Sequence, residues 1–374
     1  MFIPSYPTLN ISSFIRKEKN MGADHIVGRK ISCFRRGRDA LWWGINSLRL
    51  QPGDNILLPA SVCGAVIQPT LSLNLDIKLY DLDDTLKYSI PEIETLIDSR
   101  TKAILIVHYF GFPQNPEKIR EFCDRNGLFL IEDCALSLMG KHKGTPLGHY
   151  GDISIFSPRK FLPLSDGGFL ASDINDNTSL SKIQEWDKIG SLKVLSKLLT
   201  LNLAQKGLVP IGLLKKLIKT SKTLGDENIH GDFDDRYHLN MSKINSWLIT
   251  RFNIKEIAEE RRNNYNFWLN QSKVWNEYYP LFGELPAGIV PYQFPVSIPK
   301  YATQIVESFK NNGIFLEMPI NAPFYQSPNL LNNSDRFVEI EEMSKHIIGL
   351  PVHQSLNMKS LKKMKTLIEE IIGS

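Results

Sequence analysis

The sequence contains few cysteines, and none of them is spaced to form a cross-link or a metal site. The four are Cys33, Cys63, Cys123 and Cys134 in a chain of 374 residues. They form no Cys-x-x-Cys pair and no zinc-type spacing, which argues against a disulfide framework and a structural metal. We therefore predict reduced thiols in the core of a cytoplasmic protein that binds no metal.

The sequence also lacks the long apolar runs of membrane proteins. It has no stretch of about 18 or more apolar residues, so no transmembrane helix is predicted. Its first residues do not show the basic segment followed by an apolar one that is typical of a secretory signal peptide. Both absences favour a cytoplasmic location.

Excess charge of one sign is scarce as well. The chain has 44 basic and 40 acidic residues, a net charge of +4, which argues against nucleic-acid binding and is compatible with an anionic small-molecule substrate. Residues 188–225 are an exception, with eight lysines and no acidic residue. Two interpretations of this segment remain open: amphipathic helices that cover the core or a subunit interface, or contact with a membrane surface.

Between residues 55 and 172, short apolar runs alternate with helical patterns. This alternation predicts an α/β fold with a mainly parallel sheet and helices on both faces. Ligands of such sheets bind beyond the carboxyl ends of the strands. The predicted strands are 55–58, 76–80, 103–107, 128–132, 153–157 and 168–171, and the predicted helices are 62–73, 91–98 and 116–126.

The flanking segments suggest two domains. Residues 1–36 show no clear periodicity and are predicted to form an arm. We predict a large domain over 1–236, which includes the lysine-rich segment, and a smaller α/β domain over 237–374. In the smaller domain the patterns predict a long helix over 243–270, strands at 289–297 and 313–317, and a closing helix at 358–372.

Residues 151–170, GDISIFSPRKFLPLSDGGFL, place Lys160 in a constrained loop between two predicted buried strands. This is an unusual position for a flexible cation, because most lysines lie on exposed helix faces. It favours a functional amine, which can bind a carbonyl cofactor covalently and move protons.

Asp133 is a second candidate, in the run LFLIEDCALS at the end of a predicted buried strand. A buried carboxylate is costly without a partner. A protonated pyridine nitrogen of a cofactor would supply that partner and keep the ring an electron sink. The alternative is an aspartate that caps the next turn.

These motifs resemble those of the DegT/DnrJ/EryC1/StrS family, the pyridoxal-phosphate-dependent sugar aminotransferases of fold type I. In that family the lysine also lies eight residues before the second glycine of an acidic-Gly-Gly turn, here Gly168. The resemblance implies a large domain whose mainly parallel, seven-stranded type of sheet is sandwiched by helices, and a smaller α/β C-terminal domain. It implies that Lys160 is the Schiff-base lysine and that Asp133 binds the pyridine nitrogen.

The resemblance also implies where the cofactor phosphate binds. Residues 37–41, GRDAL, stand in place of the family's Gly-Thr/Ser-x-Ala-Leu, at a helix N-terminus where backbone N–H groups bind phosphate. Gly37 permits close approach, and the amides of Arg38 and Asp39 are expected to face the phosphate. Ser157 is the second expected phosphate contact.

The other implied cofactor contacts are Ala135, Leu136 and Cys63. Leu136 replaces the family's Gln or His, and Cys63 stands where an aromatic residue usually covers one ring face. Arg38 replaces a hydroxyl residue, and Ser157 lies three residues before the lysine rather than five. These departures predict a more apolar pocket and a divergent branch of the family, with an altered substrate or mechanism.

Three further residues are candidates for substrate contacts. His108, in VHYFG just past a strand end, is either a packing residue or a substrate contact. The family also takes an Asn and an Arg from the partner subunit in an N-x-R-M type motif, and His238 and Asn240 of RYHLNMS stand at those places. The resemblance therefore implies a homodimer with shared active sites.

The function implied by the resemblance is transfer of an amino group from glutamate or glutamine to a nucleotide-linked keto-sugar, for polysaccharide or glycosylated-metabolite biosynthesis. One alternative is a pyridoxal phosphate enzyme with a different reaction or a non-nucleotide substrate. Lys160 argues against the family's dehydratase branch, in which histidine replaces the lysine. Another alternative is a non-catalytic cofactor-binding protein that docks on a membrane through residues 188–225.

Overall fold

The structure is a computed structural model. Residues 210–225 of the lysine-rich segment and the predicted domain boundary after residue 236 lie outside the described residues. The division into two domains therefore stays a prediction. The structure describes residues 2–15, 22–174, 188–209, 237–275, 278–316, 318–320 and 337–373.

The described residues form a large sheet, a smaller sheet, a short hairpin and the helices that connect them. The strands are β1 (Ile31–Phe34), β2 (Asn55–Pro59), β3 (Asp76–Tyr80), β4 (Thr101–Val107), β5 (Phe129–Asp133), β6 (Lys141–His142), β7 (Thr145–Pro146), β8 (Ile153–Phe156), β9 (Gly168–Ser172), β10 (Tyr279–Pro280), β11 (Gln293–Ser297) and β12 (Ile347–Pro351). The helices are α1 (Ala23–Val27), α2 (Gly37–Ser47), α3 (Gly64–Ser72), α4 (Ile90–Leu96), α5 (Pro116–Asn126), α6 (Lys188–Gln205), α7 (Lys243–Ile249), α8 (Ile254–Ser272), α9 (Ala302–Asn311), α10 (Val338–His346) and α11 (Met358–Ile372). Short 3₁₀ turns lie at Ile11–Phe14, Tyr109–Gly111 and Pro158–Lys160.

The large sheet has seven strands in the order β1-β9-β8-β5-β4-β2-β3. The neighbours from β8 to β3 are parallel, and β9 runs antiparallel to both β8 and β1. The chain moves towards one edge through α3 and towards the other edge through α5. Right-handed crossovers therefore place these helices on opposite faces of the sheet.

Helix α5 shows why the helices of this region were predictable. Pro116 occupies its first turn, where the missing N–H costs nothing. Ile119, Phe122 and Cys123 recur at helical spacing and are buried. Gly127 ends the helix with φ 63, a left-handed conformation that glycine adopts without strain.

The N-terminal segment corrects the prediction of an arm over residues 1–36. Residues 31–34 form the edge strand β1, whose Phe34 pairs with Gly168 of β9. Ile3 forms a parallel bridge with Ile314. The strand predicted at 313–317 is also wrong, because its described residues form only this bridge and lie in no strand.

The rest of the C-terminal unit is built on the antiparallel sheet β10-β11-β12. The long helix predicted over 243–270 is two helices, because Ser242 and Asn253 each cap a new N-terminus. Their side chains accept hydrogen bonds from the N–H groups of Asn245 and Glu256. The predicted closing helix is confirmed as α11.

The described part of the lysine-rich segment is helix α6. Leu195 and Leu198 are buried in the main core, and Leu201 and Ala204 pack with Phe2 in a smaller cluster. This packing agrees with the interpretation that the helix covers the core. In the described parts of the chain, helices are too short or too polar to cross a membrane.

Candidate active site

The candidate site lies at the carboxyl ends of the parallel strands. The crossovers after β2 and after β4 run in opposite directions, so a crevice opens between these neighbouring strands, where such folds bind ligands. The Tyr109 hydroxyl donates to Ser61 O at 2.6 Å and joins the two strand ends. Sequence reasoning missed Tyr109, although it directly follows the candidate His108.

Lys160 lies at the end of the 3₁₀ turn that follows β8. Its N–H donates to Ser157 O at 3.1 Å, and its side chain is half-buried. Its Nζ lies 5.7 Å from the ring centroid of Tyr292, which comes from the C-terminal unit. The amine thus lies between the loop after β8 and Tyr292 of the C-terminal unit.

Asp133 ends β5 and is 5% exposed. Its Oδ1 accepts a hydrogen bond from Ala135 N–H at 2.8 Å. Burial raises the pKa of this carboxyl above its usual value, although the Ala135 hydrogen bond and the charge of Lys160 oppose the shift. A buried carboxyl with a raised pKa gains most from a further cationic partner.

The two predicted phosphate contacts lie together. A Cβ placed on Gly37 would be 3.7 Å from Phe156 O and 4.0 Å from Ser157 Oγ, so a side chain there would fill the space between helix α2 and Ser157. Gly168 lies so close to the backbone of Arg36 that a Cβ would be 2.0 Å from its carbonyl oxygen. This contact leaves no room for a side chain at position 168, which explains why the residue is glycine. It also packs the turn after Lys160 against the start of α2.

Asp39 lies in the first turn of α2. Its N–H donates to Arg36 O at 3.1 Å, which closes this turn, and its contact with a phosphate stays a prediction. Burial raises the pKa of its carboxyl to about 6, although Arg36, Arg35 and Arg38 oppose the shift. Among the described residues, its Oδ2 has no hydrogen-bond partner. The Arg38 side chain donates to Gln68 Oε1 at 3.4 Å.

Of the two interpretations of His108, its surroundings agree with a packing residue rather than a substrate contact. It is fully buried, and Gln114 N–H donates to its Nδ1 at 3.2 Å. The proton therefore resides on Nε2, which donates to Glu132 Oε1 at 3.0 Å.

His108, Glu132 and Cys134 form a cluster whose possible metal-ligand atoms all lie within 4.8 Å of one another. However, the ring nitrogens of His108 and the carboxylate oxygens of Glu132 are engaged in hydrogen bonds.

The remaining predicted site residues surround this region. Asn240 forms an antiparallel bridge with Phe34, next to the start of α2. The His238 ring packs edge-on against Trp42 and Trp43, each with ring centroids 5.4 Å apart. Cys63 is the N-cap residue of α3, and Ala135 and Leu136 follow Asp133, all three half-buried. The functional roles of these residues stay predictions.

Asp166 is a structural residue that sequence reasoning noticed only as part of the turn. It is buried and accepts hydrogen bonds from Ser191 Oγ of α6 at 2.8 Å and from Ser242 N–H at 2.9 Å. Asn245 Nδ2 of α7 donates to it at 2.6 Å. The acidic residue of the Asp-Gly-Gly turn therefore ties the lysine loop to two helices.

The chain was compared with known proteins. Residues 22–203 match the model of the DegT/DnrJ/EryC1/StrS aminotransferase family. This segment, just under half of the chain, carries the sequence pattern of the family. The family predicted from the lysine loop is thus confirmed.

Curated relatives match part of the chain. GDP-perosamine synthase of Escherichia coli O157:H7 is 31% identical over 169 residues, which are 44% of this chain and 46% of that protein. A UDP-N-acetyl-3-dehydro-alpha-D-glucosamine 3-aminotransferase of Acidithiobacillus ferrooxidans is 34% identical over 150 residues, 39% of this chain and 40% of that protein. The matched segment spans less than half the length of each of these relatives.

Solved structures match over the whole chain. Helicobacter pylori PseC, described as an aminotransferase involved in the biosynthesis of pseudoaminic acid, has a TM-score of 0.72 and 17% identity, covering 100% of this chain and 99% of that chain. The aminotransferase TlmJ from Streptoalloteichus hindustanus has the same TM-score and identity, covering 100% and 98%. This likeness confirms the predicted fold class.

Proposed function

We propose that this chain is a pyridoxal-phosphate-dependent aminotransferase that acts on a nucleotide-linked keto-sugar. The observation that carries the proposal is that Lys160 and the buried Asp133 interact electrostatically at the carboxyl ends of the strands, where Ser157 lies next to the N-terminus of α2. The charge of Lys160 acts on the Asp133 carboxyl, whose pKa burial has raised. An amine that can bind an aldehyde and a carboxylate that can bind a pyridinium are the two groups this cofactor needs.

The described residues fit the cofactor. Gly37 leaves open the space beside Ser157 that a side chain would fill. The N-terminus of α2 and the Ser157 hydroxyl would hold the phosphate. Asp133 would hold the ring nitrogen, and Cys63, Ala135 and Leu136 are proposed to line the ring.

When bound, pyridoxal phosphate supplies an electron sink that stabilises a carbanion next to the transferred nitrogen. Lys160 would bind the cofactor covalently and, once released by the amino donor, move a proton at Nζ between substrate carbon and cofactor. Asp133 would keep the ring nitrogen protonated. The Tyr292 ring and the strand ends around Tyr109 would limit the access of water to this amine.

The substrate class rests on the relatives. Their names specify GDP-perosamine and a UDP-linked 3-dehydro sugar, and we propose a nucleotide-linked keto-sugar acceptor with glutamate or glutamine as donor. We also propose a cytoplasmic homodimer in which His238 and Asn240 contact the partner's site. The four cysteines are free thiols, which supports a reducing compartment.

The first test is to locate the bound cofactor. Purified protein is incubated with pyridoxal phosphate, reduced with borohydride, digested and analysed by mass spectrometry. We expect the pyridoxyl group on Lys160, and its loss in Lys160→Ala but not in the matched control Lys143→Ala, whose side chain is 73% exposed. A label spread over surface lysines, unchanged in Lys160→Ala, would contradict the proposal.

The second test follows the reaction. The loaded protein is mixed with glutamate or glutamine, and the absorbance of the bound cofactor and the keto-acid product are measured. A donor that converts the cofactor identifies the first half-reaction, after which nucleotide-linked keto-sugars are supplied as acceptors. Turnover with free keto-sugars but none with nucleotide-linked ones would favour the alternative of a non-nucleotide substrate.

A further inference from the structure

Arg261 of α8 is a buried cation whose five N–H groups all donate to neutral acceptors. It is 1% exposed. Its Nε donates to Gln354 Oε1 at 3.2 Å. Its Nη1 donates to the carbonyls of Pro291 and Tyr292, both at 3.2 Å. Its Nη2 donates to the carbonyls of Lys160 and Phe161 at 3.2 and 3.4 Å. A guanidinium has five such donors, so its hydrogen-bonding capacity is used completely.

These acceptors belong to two separate parts of the molecule. Lys160 and Phe161 lie in the loop between β8 and β9 of the large sheet, whereas Tyr292 and Gln354 flank β11 and β12 of the small sheet. Gln354 Nε2 also donates to Phe161 O at 2.8 Å, which closes the arrangement into a ring of hydrogen bonds. The guanidinium itself stacks over the Phe161 ring, 4.5 Å from its centroid. We name Arg261 and Gln354 together the guanidinium clamp.

The clamp acts on both groups that define the position of the Lys160 amine. It binds the carbonyl of Lys160 and the carbonyl of Tyr292, whose ring lies 5.7 Å from Lys160 Nζ. The Tyr292 N–H donates to Phe110 O at 2.8 Å, so the backbone of Tyr292 is held on both sides. Phe110 has φ 56, a conformation that is costly for a side-chain-bearing residue and that directs the turn after β4 towards Tyr292.

We propose that Arg261 is a positioning residue: with Gln354 it fixes the Lys160 amine over the Tyr292 ring by joining the lysine loop to the C-terminal sheet. That the position of the Lys160 amine matters for turnover rests on the proposed function. The hydrogen bonds that fix this position do not depend on that function. A misplacement of about 1 Å at a reacting group can lower a rate about 10²-fold. A flexible lysine with three donors cannot reproduce the planar arrangement of five.

The chain offers a matched control in the next residue. Arg262 also donates to backbone carbonyls, with its Nη1 at 2.9 Å from Pro286 O and 2.6 Å from Ile289 O. It lies on the same helix, and its acceptors are the carbonyls of Leu285, Pro286 and Ile289, outside the lysine loop. Arg262→Lys therefore removes contacts of the same chemical kind without touching the Lys160 turn.

The test measures the environment of the amine directly. Folded wild-type protein, Arg261→Lys and Arg262→Lys are acetylated briefly in the absence of cofactor, and the acetylation rate of Lys160 relative to exposed lysines is determined by mass spectrometry. We expect the relative rate at Lys160 to change severalfold in Arg261→Lys and to stay within twofold of wild type in Arg262→Lys. Equal rates in all three folded proteins would overturn the proposal.

Steady-state kinetics provide the second readout. In Arg261→Lys we expect kcat to fall about 10²-fold with little change in KM for the amino donor, because the amine rather than the binding surface is displaced. Arg262→Lys should keep both constants. A rise in KM alone would contradict a positioning role.

A second variant keeps the proposal testable if Arg261→Lys does not fold. Gln354→Leu removes the bonds to Arg261 Nε and to Phe161 O but leaves the guanidinium in place. We expect a smaller change in the Lys160 acetylation rate, and a folded Gln354→Leu with wild-type rate and kcat would overturn the proposal. Failure of wild type to bind pyridoxal phosphate would instead contradict the proposed function, while the acetylation rates would still decide on the clamp.

Discussion

Glu132 and Asp133 are adjacent buried carboxyl groups at the end of one strand, yet the structure treats them in opposite ways. Glu132 accepts hydrogen bonds from the His108 ring and from the backbone N–H groups of Gly148, Tyr150 and Gly151. Ser154 Oγ adds a longer contact at 3.3 Å. Burial raises the pKa of Glu132, but the hydrogen bonds from His108 and from the backbone outweigh it, and the net pKa lies below the usual value.

At Asp133 the balance is reversed. Burial dominates, and the pKa of the carboxyl is raised. Successive residues of a strand point to opposite faces, so one carboxyl faces the packed loop at Gly148–Gly151 and the other faces the candidate site. The comparison suggests a rule for buried carboxylates. A carboxylate whose oxygens accept several hydrogen bonds from the protein stabilises the fold, whereas one with few such bonds is a candidate for binding a ligand.

Removing the hydrogen-bonded charge of Glu132 should have the largest effect on the free energy of unfolding. Glu132→Gln leaves backbone N–H groups facing an amide N–H₂, so we expect the free energy of unfolding to fall by about 3–5 kcal/mol. Urea unfolding followed by circular dichroism measures this change. A loss below about 1 kcal/mol would show that the hydrogen bonds to Glu132 do not stabilise the fold as described.

Removing the uncompensated charge should affect function instead. Asp133→Asn should leave the free energy of unfolding at neutral pH unchanged or higher, because burial disfavours the ionised carboxylate that it replaces. We expect kcat for amino transfer to fall about 10²–10³-fold, the usual cost of losing a placed electrostatic group. Equal losses of stability in Asp133→Asn and Glu132→Gln would erase the distinction between the two carboxyls.

His108→Leu tests how much of the difference comes from the histidine. It removes one donor to the Glu132 carboxylate and should lower the free energy of unfolding by about 1.5–3 kcal/mol. The pKa of Glu132 should rise towards its usual value, which chemical-shift titration can follow. An unchanged free energy of unfolding would show that the backbone N–H donors alone stabilise the Glu132 carboxylate.

His353 extends the comparison to a base, whose effect on stability is absent at neutral pH and grows as the pH falls. It is 2% exposed, Nε2 pairs with Pro4 O at 2.9 Å, and among the described residues Nδ1 has no partner. Burial lowers its pKa from 6.5 to about 3. Below pH 6.5 the unfolded chain gains a proton that the folded protein resists. Stability should therefore fall by about 1.4 kcal/mol per pH unit down to about pH 3.

The measurement compares wild type with His353→Gln. Urea unfolding is followed at pH 7, 6 and 5, and carboxyl groups that titrate in this range, such as Asp39, contribute equally to both proteins. The free energy of unfolding is plotted against pH, and the difference in slope between the two proteins gives the contribution of His353. Equal slopes would contradict the conclusion that the buried His353 ring is neutral.

Local patterns were sufficient for the strands β2 to β5, β8 and β9 and for the helix α5, because these depend on short-range periodicity. The roles of Lys160 and Asp133 came from a recognisable loop and stay predictions. Strand β1 could not be predicted. Its four residues are mostly half-buried and carry no period of their own, and its partner β9 comes much later in the chain.

The roles of His108 and Arg261 were hidden for a different reason. The sequence shows a histidine past a strand end and an arginine pair on a helix, but not which backbone groups meet them after folding. Asp39 shows a third limit. The motif placed it at the start of α2, but the hydrogen bond from its N–H to Arg36 O depends on the local turn geometry.

The pairing of the first residues has a consequence for synthesis on the ribosome. Ile3 bonds to Gly313 and Phe315 through its backbone, and β1 pairs with β9. At about 5–20 residues per second, Ile3 waits on the order of 15–60 s for partners made roughly 300 residues later. Throughout that interval Ile3 lacks its backbone partners, and the apolar Phe2 lacks its contact with the Phe315 ring. Chaperone binding at Phe2 and Ile3 should therefore persist until translation has passed Phe315.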